Sequence, residues 1–211
     1  MAAFVLKVVL AYLIGSLSGS LLLGRLRGID IRTVGSGNAG GTNALRTQGK
    51  AFGISVLLID ILKGVIAAGV VPLLPFGLPA AAELLPWLGM ACAIAAVAGH
   101  VWPVWFGFRG GKGAATLVGV LLVLAPLGLL PVLGAWLIVL MTTGYVGLAT
   151  IFGALAFVAY AFLMPLPAPL EWFGVAMAVF VVFTHRGNIR RLCAGTEHRF
   201  SRAMVLRRRG S

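Results

Sequence analysis

The chain has 211 residues, of which 60% are hydrophobic and only 10% charged, with a mean hydropathy of +1.04; soluble globular domains carry about 25% charged residues. A soluble domain of this length has too little interior to hide so much apolar surface, so the solvent that fits is a bilayer. A net charge of +12 would point to nucleic acid in a soluble protein. Here 15 of the 17 Lys and Arg residues fall in three short polar stretches between apolar runs, which excludes a nucleic-acid face.

A crossing takes about 20 mostly apolar residues. The first such run covers residues 4–24, with no basic segment ahead of it and no clear small-x-small cleavage site, so it is expected to be a retained span and not a signal peptide. Residues 25–52 follow with five Lys or Arg and the segment GSGNAGGTNALR, Gly35 to Arg46. Gly35, Gly37 and their neighbours let successive backbone N–H groups converge on an anion. Ser36, Asn38, Thr42 and Asn43 add neutral donors and acceptors, and Arg46 offers a fork suited to phosphate. Ordinary polar loops favour the same residue types, but this one contains no acid.

The second span, near 53–75, holds Asp60 and Lys63. Each costs roughly 2.5–3.5 kcal/mol at the centre of a membrane helix, so neither should face lipid. Three residues apart, they are placed to pair on one helix face, as a structural pair or as a polar contact beneath a site. The third span, near 86–103, should end at Pro103, with Trp102 and Trp105 suited to the membrane interface. Arg109, Gly110, Gly111, Lys112 and Gly113 then lead straight into a helix at Ala114. Glycines, two cations and a helix N-terminus together make an anion site, although the spacing is not that of a Walker A loop.

From Ala114 to Thr184, proline and glycine punctuation divides the apolar stretch into segments near 114–127, 129–143, 145–164 and 170–184. Residues 104–113 carry two Lys or Arg and residues 185–211 carry eight, whereas 76–85 and 165–170 carry none. Placing every basic segment on the cytoplasmic side requires an even number of crossings after residue 113. Four short helices or two long ones satisfy this. A run of about 70 residues is long for two, so four are expected, giving an all-α polytopic membrane protein of about seven transmembrane helices, with the N-terminus outside and the C-terminus cytoplasmic. The last polar stretch is THRGNIRRLCAGTEHR, Thr184 to Arg199. One helical turn would put His185 and Asn188 on one face, with His185 as a general base or an oxyanion donor. Arg190, Arg191 and Arg207 to Arg209 suit anionic lipid head groups. Cys92 and Cys193 are too isolated for a metal motif and read as free thiols. With no carboxylate pair, no metal-ligand cluster and no G-x-S-x-G, the chemistry expected is on an anion, without metal or cofactor.

Taken in order, GSGNAGGTNALR, GHVWPVWFGFRGGKGAAT and HRGNIRRLCAGTEHR, with LIDILKG inside the second span, resemble the bacterial acyl-phosphate:glycerol-3-phosphate acyltransferase family, PlsY, over nearly the whole chain. The resemblance implies one integral membrane acyltransferase domain over residues 1–211, a multi-pass protein of the bacterial inner membrane with its active site facing the cytoplasm. It implies transfer of a long acyl chain from acyl phosphate, not from acyl-CoA, to the 1-hydroxyl of glycerol 3-phosphate, giving lysophosphatidic acid and phosphate. Ser36 and Arg46 would be essential, the glycine loop with Lys112 would hold glycerol 3-phosphate, and His185 with Asn188 would form the third-segment pair, with Glu197 more structural. A monomer binding membrane lipid and no nucleic acid is expected. The chain departs from the family pattern at Gly41 (usually Ala), Arg109 (for Lys) and Thr184 (commonly Arg or Lys). At Gly147, where Ser is frequent, Thr150 is left as the only hydroxyl nearby. Because an acyl phosphate is already activated, direct transfer is expected, with Ser36 and Asn188 positioning the reacting groups and Arg46 and Lys112 neutralising phosphates. The alternative class is a transporter or channel for a phosphorylated metabolite, which predicts polar spans and helices broken at mid-membrane.

Overall fold

The computed structural model describes residues 1–76, 84–201 and 204; Arg207 to Arg209 lie outside them. The described residues form helices joined by short turns, with no strand among them, in two compact units, Met1–Ala125 and Pro126–Ser211.

In the first unit the run 4–24, expected as one span, is built from two helices, a pair that together is long and apolar enough for one broken span. Helix α1 (Ala2–Gly15) and helix α2 (Gly19–Leu26) meet at a 50° bend, with Ser18 extended between them at ψ 119. A break strands carbonyls at one helix end and N–H groups at the next, and hydrocarbon offers no water to satisfy either. Helix α4 (Lys50–Val65) supplies the partners. Lys63 Nζ donates to the carbonyls of Gly15 at 2.7 Å and Leu17 at 3.3 Å, and Asp60 Oδ1 accepts the Gly19 N–H at 3.1 Å. The two side chains are buried and 3.1 Å apart. The cation thus sits at the carbonyl end of α1 and the carboxylate at the amide end of α2, the signs that the helix dipoles favour.

Helix α3 (Gly41–Gln48) precedes α4, which continues through a π turn (Ile66–Val70) and a 3-10 turn (Val71–Leu73). Pro72 lacks an N–H, and a locally widened turn ahead of it adjusts the backbone pairing. Buried Lys7 donates to the Pro72 carbonyl at 2.8 Å, so this charge too is committed to a helix end. Helix α5 (Leu85–Val101) packs on α1, and helix α6 (Ala114–Leu124) packs on α4. Both approaches are made by glycine. A methyl group at Gly99 would overlap the Tyr12 carbonyl, and one at Gly119 would overlap that of Ile61. Close backbone packing replaces the hydrophobic drive that lipid does not provide.

In the second unit helix α7 (Leu129–Thr143) turns at Gly144, φ 76, into helix α8 (Val146–Leu163). Helix α9 (Ala168–Thr184) packs on α8, with Gly174 against the Phe157 ring, and α10 (Arg186–Cys193) leaves it at 54°.

The exposure pattern inverts that of a protein in water. Leu62, Leu130, Ile138 and Val179 are 57%, 70%, 65% and 65% exposed, while Lys7, Asp60, Lys63 and His100 are at most 5% exposed; apolar side chains facing lipid and charges facing inward give that arrangement. Among the described residues four helices are long and apolar enough to cross, and six if each bent pair counts as one span. Helix α6 has 11 residues, roughly 16 Å against a hydrocarbon core of about 30 Å. The expected count of seven therefore rests on the shortest apolar helix.

Removing one member of the Asp60–Lys63 pair leaves a buried charge uncompensated. Lys63→Met is expected to cost about 3–5 kcal/mol, and the double variant D60N/K63M less than the single one. Thermal unfolding in detergent checks this, and losses that simply add would refute it.

Candidate active site

Helix α2 delivers the chain to the first polar segment. After Gly28, at φ 66, Asp30 Oδ1 accepts the Arg32 N–H at 3.0 Å and starts a 3-10 turn, Ile31–Thr33. The Arg32 guanidinium donates to Asp30, with Nη2–Oδ2 at 2.8 Å, and reaches across to the carbonyls of Phe106 at 2.8 Å and Arg109 at 3.1 Å. That guanidinium holds the Asp30 carboxyl below its ordinary value, chiefly by hydrogen bonding. The pair's contribution is therefore present above the ordinary carboxylate value and is lost as pH falls through the lowered one.

The segment from Gly35 to Arg46 is half loop and half helix. Gly35 and Gly37 stand at φ 60 and φ 70, left-handed values that only glycine adopts cheaply. Asn43, in the first turn of α3 and 2% exposed, holds the loop. Its Oδ1 accepts the Ser36 N–H at 2.9 Å, and its Nδ2 donates to the carbonyls of Ile31 at 3.1 Å and Val34 at 3.0 Å. The Asn43 amide is thus committed to the loop backbone. Ser36 is exposed, Asn38 and Thr42 are half-buried, and Arg46 is half-buried one turn beyond Thr42 on α3. Ala39 is fully buried, and its carbonyl accepts from Ser20 Oγ of α2 at 2.9 Å.

The second loop runs from α5 to α6. Gly110 and Gly111 donate their N–H groups back to the carbonyls of Val101 at 3.0 Å and His100 at 3.1 Å. Gly113, at φ 86, caps α6, and Lys112 stands half-buried beside that helix N-terminus. The exposed Arg109 has its carbonyl held by Arg32. A methyl group at Gly111 would overlap His100 Nε2 and lie 3.0 Å from the Ala39 carbonyl, so the two glycine-rich segments touch. Beneath them His100 Nδ1 lies 2.8 Å from Lys63 Nζ and 3.5 Å from Asp60 Oδ1.

In the second unit His185 closes α9 and opens α10. It is 4% exposed, with Nδ1 2.8 Å from the Val181 carbonyl. A carbonyl only accepts, so Nδ1 carries the proton and Nε2 the lone pair in the neutral ring, the tautomer of a base. Asn188 Nδ2 donates to Glu197 Oε1 at 2.6 Å, and Arg191 Nε donates to Oε2 at 2.7 Å. A methyl group at Gly147 would come within 2.7 Å of the Asn188 amide, so Gly147 of α8 provides the room for Asn188. The Thr150 hydroxyl donates to the Val146 carbonyl of its own helix at 2.9 Å.

The profile of the glycerol-3-phosphate acyltransferase family matches residues 5–195. A glycerol-3-phosphate acyltransferase of Rippkaea orientalis is 42% identical over 204 residues, covering 95% of this chain and 94% of its own length. This chain belongs to that family. Its fold is similar to that of the crystal structure of PlsY, an integral membrane glycerol 3-phosphate acyltransferase, in the glycerol 3-phosphate form, with 33% identity, a TM-score of 0.82 and coverage of 95% and 96%. The lysophosphatidic acid form of PlsY matches at the same identity and TM-score, over 94% of this chain and 95% of that one. The chain is accordingly a multi-pass membrane protein of the acyltransferase family.

Within the first unit the structure brings the loop of Ser36 and the loop of Lys112 to one end, and sets Asp60 and Lys63 behind the second loop through His100. Within the second unit it brings Asn188 to Glu197 and places His185 one turn before Asn188. The Asp30–Arg32 clip, Ser20 and His100 were not among the sequence candidates. His100 is a titratable side chain inside an apolar run, the same signal that singled out Asp60 and Lys63.

Glu197→Ala should remove the acceptor that Asn188 and Arg191 share and lower activity about tenfold or more, as loss of a buried charge-assisted contact does. Glu197→Gln keeps an acceptor and a similar shape and should retain more. Parallel rate measurements on the two purified variants check the order.

Proposed function

We propose that the chain transfers an acyl group from a long-chain acyl phosphate to the 1-hydroxyl of glycerol 3-phosphate. The bond formed is between the glycerol oxygen and the acyl carbon; the bond broken is between that carbon and the phosphate oxygen, and lysophosphatidic acid and phosphate leave. The proton of the hydroxyl passes to His185 or to a phosphate oxygen of the substrate. The observation that carries the reading is the pair of glycine-rich segments locked together by Arg32 and by the Ala39–Gly111 contact, in a chain of this family. An acyl phosphate brings its own leaving group, so holding two phosphates in register and stabilising developing charge is most of what the protein must do.

In this reading Lys112, with Arg109 and the backbone of Gly110, Gly111 and Gly113, holds the phosphate of glycerol 3-phosphate. Arg46, with Gly35, Gly37, Asn38 and Thr42, holds the donor phosphate. Ser36 and Asn188 orient the reacting groups, while Asn43 and Glu197 brace them. Residues 1–211 act as one catalytic domain, a monomer in the bacterial inner membrane. With the basic segments cytoplasmic, the charge distribution calls for an even number of crossings after residue 113, and the length of the apolar run favours four, seven in all. A helix broken inside the membrane would also fit a transporter. Here both broken ends are occupied by Lys63 and Asp60, which favours a structural break.

Purified protein given palmitoyl phosphate should release phosphate only when glycerol 3-phosphate is present, and palmitoyl-CoA should not substitute. No release from folded protein would overturn the proposal and direct attention to uptake of glycerol 3-phosphate into proteoliposomes. Lys112→Ala should lower kcat/KM on the order of 100-fold, the scale of losing a charge-stabilising donor. Incubation with donor alone should leave Ser36 unmodified by intact-mass spectrometry. Stoichiometric acylation there would replace direct transfer with an acyl-enzyme.

A further inference from the structure

We propose that His100 is a positioning residue for glycerol 3-phosphate binding, transmitting the fixed geometry of the Asp60–Lys63 pair to the Gly110–Lys112 loop; the inference rests on the function proposed above. His100 lies in the last turn of α5 and is 2% exposed. One edge of its ring faces the buried pair, with Nδ1 2.8 Å from Lys63 Nζ and 3.5 Å from Asp60 Oδ1. An ammonium group has donors only, so Nδ1 accepts from Lys63 and the ring proton belongs on Nε2. The other edge faces the loop, where Nε2 occupies the space a Gly111 methyl would need, and the His100 carbonyl accepts the Gly111 N–H at 3.1 Å. A methyl group at Gly110 would overlap that same carbonyl. His100 thus meets two successive glycines, by ring and by backbone, immediately before Lys112.

Lys63 is itself tied to Gly15 and Leu17, and Asp60 to Gly19. The ring is therefore held by a cluster fixed on three helices, α1, α2 and α4. A side chain so anchored sets where the loop lies, and the loop sets where the Lys112 backbone enters. Displacements near 1 Å in such a frame lower rates by as much as 100-fold. The apolar residue usual in a span would pack equally well against lipid or helix, but it would remove the acceptor that α5 offers Lys63 beside Gly15, Leu17 and Asp60.

Two isosteric variants separate the two edges. Asn places an amide oxygen where Nδ1 stands and keeps an acceptor for Lys63, but leaves the ring tip empty. Gln reaches the tip and deserts Lys63. His100→Asn is expected to melt near the wild type, with KM for glycerol 3-phosphate raised roughly ten- to a hundredfold and KM for palmitoyl phosphate little moved. His100→Gln should melt lower and keep a KM for glycerol 3-phosphate closer to the wild type. Gly111→Ala approaches from the loop side without touching the buried pair and should raise the same KM. In the double variant G111A/H100N the shorter side chain makes room for the methyl group, so the two increases should not multiply. An unchanged glycerol 3-phosphate KM in H100N or G111A, equal rises for both substrates, or independent multiplication in the double variant would overturn the role of His100. Wild-type protein that fails to turn over palmitoyl phosphate with glycerol 3-phosphate would instead overturn the underlying function.

Discussion

A helix that stops where its end is buried away from water must have its loose groups satisfied by other parts of the protein, and the Asp60–Lys63 pair does this for the break between α1 and α2. Three of Lys63's near partners and two of Asp60's follow from that one requirement: two carbonyls, one amide and each other. The pair is oriented by the dipoles it caps, cation to the C-terminus and anion to the N-terminus. Because the break turns α2 by 50°, it determines how the chain enters its first polar segment. Ser20, on the turned helix, then holds the Ala39 carbonyl. A charged pair that looks costly in a span is here the condition for the geometry at the end of the unit.

At that end the two glycine-rich segments are joined by one side chain reaching backbone carbonyls and by one close approach of backbone. Arg32 spends its guanidinium on two carbonyls of the second loop while Asp30 balances its charge. His100 Nε2 fills the space a Gly111 side chain would need, and a methyl group there would also lie 3.0 Å from the Ala39 carbonyl. Glycine serves two purposes here. At Gly35 and Gly37 it permits a left-handed turn, and at Gly111 it permits contact. Preorganisation of this kind lets N–H groups and cations act on a phosphate without first being ordered, which keeps the binding free energy for the reacting geometry.

The second unit uses the same economy with fewer residues. A single carboxylate, Glu197, orients Asn188 and Arg191 together. The Val181 carbonyl assigns the proton of His185 to Nδ1. Gly147 gives Asn188 its place, which accounts for the glycine at a position where a hydroxyl was sought. The Thr150 hydroxyl donates to the Val146 carbonyl of its own helix.

The sequence by itself determined the membrane class, the helical content, the segment boundaries at Gly144 and near Ala114, and the three polar segments that mark the family. Those features are local: hydropathy follows from side-chain composition, boundaries from proline and glycine dihedrals, and the pairing of Asp60 with Lys63 from helical spacing. Tertiary structure alone decided that residues 4–24 are broken, since a run of apolar side chains is equally compatible with one helix or two. It decided that Asn43 braces the loop, because its partners Ile31 and Val34 depend on how the chain folds back and not on composition. It also decided that Arg32 reaches Phe106 and Arg109, and that His100 stands between the buried pair and Gly111. Contacts across tens of residues are set by helix packing, and helix packing in a membrane is written in where two backbones can approach, a property of pairs of helices that no single segment displays.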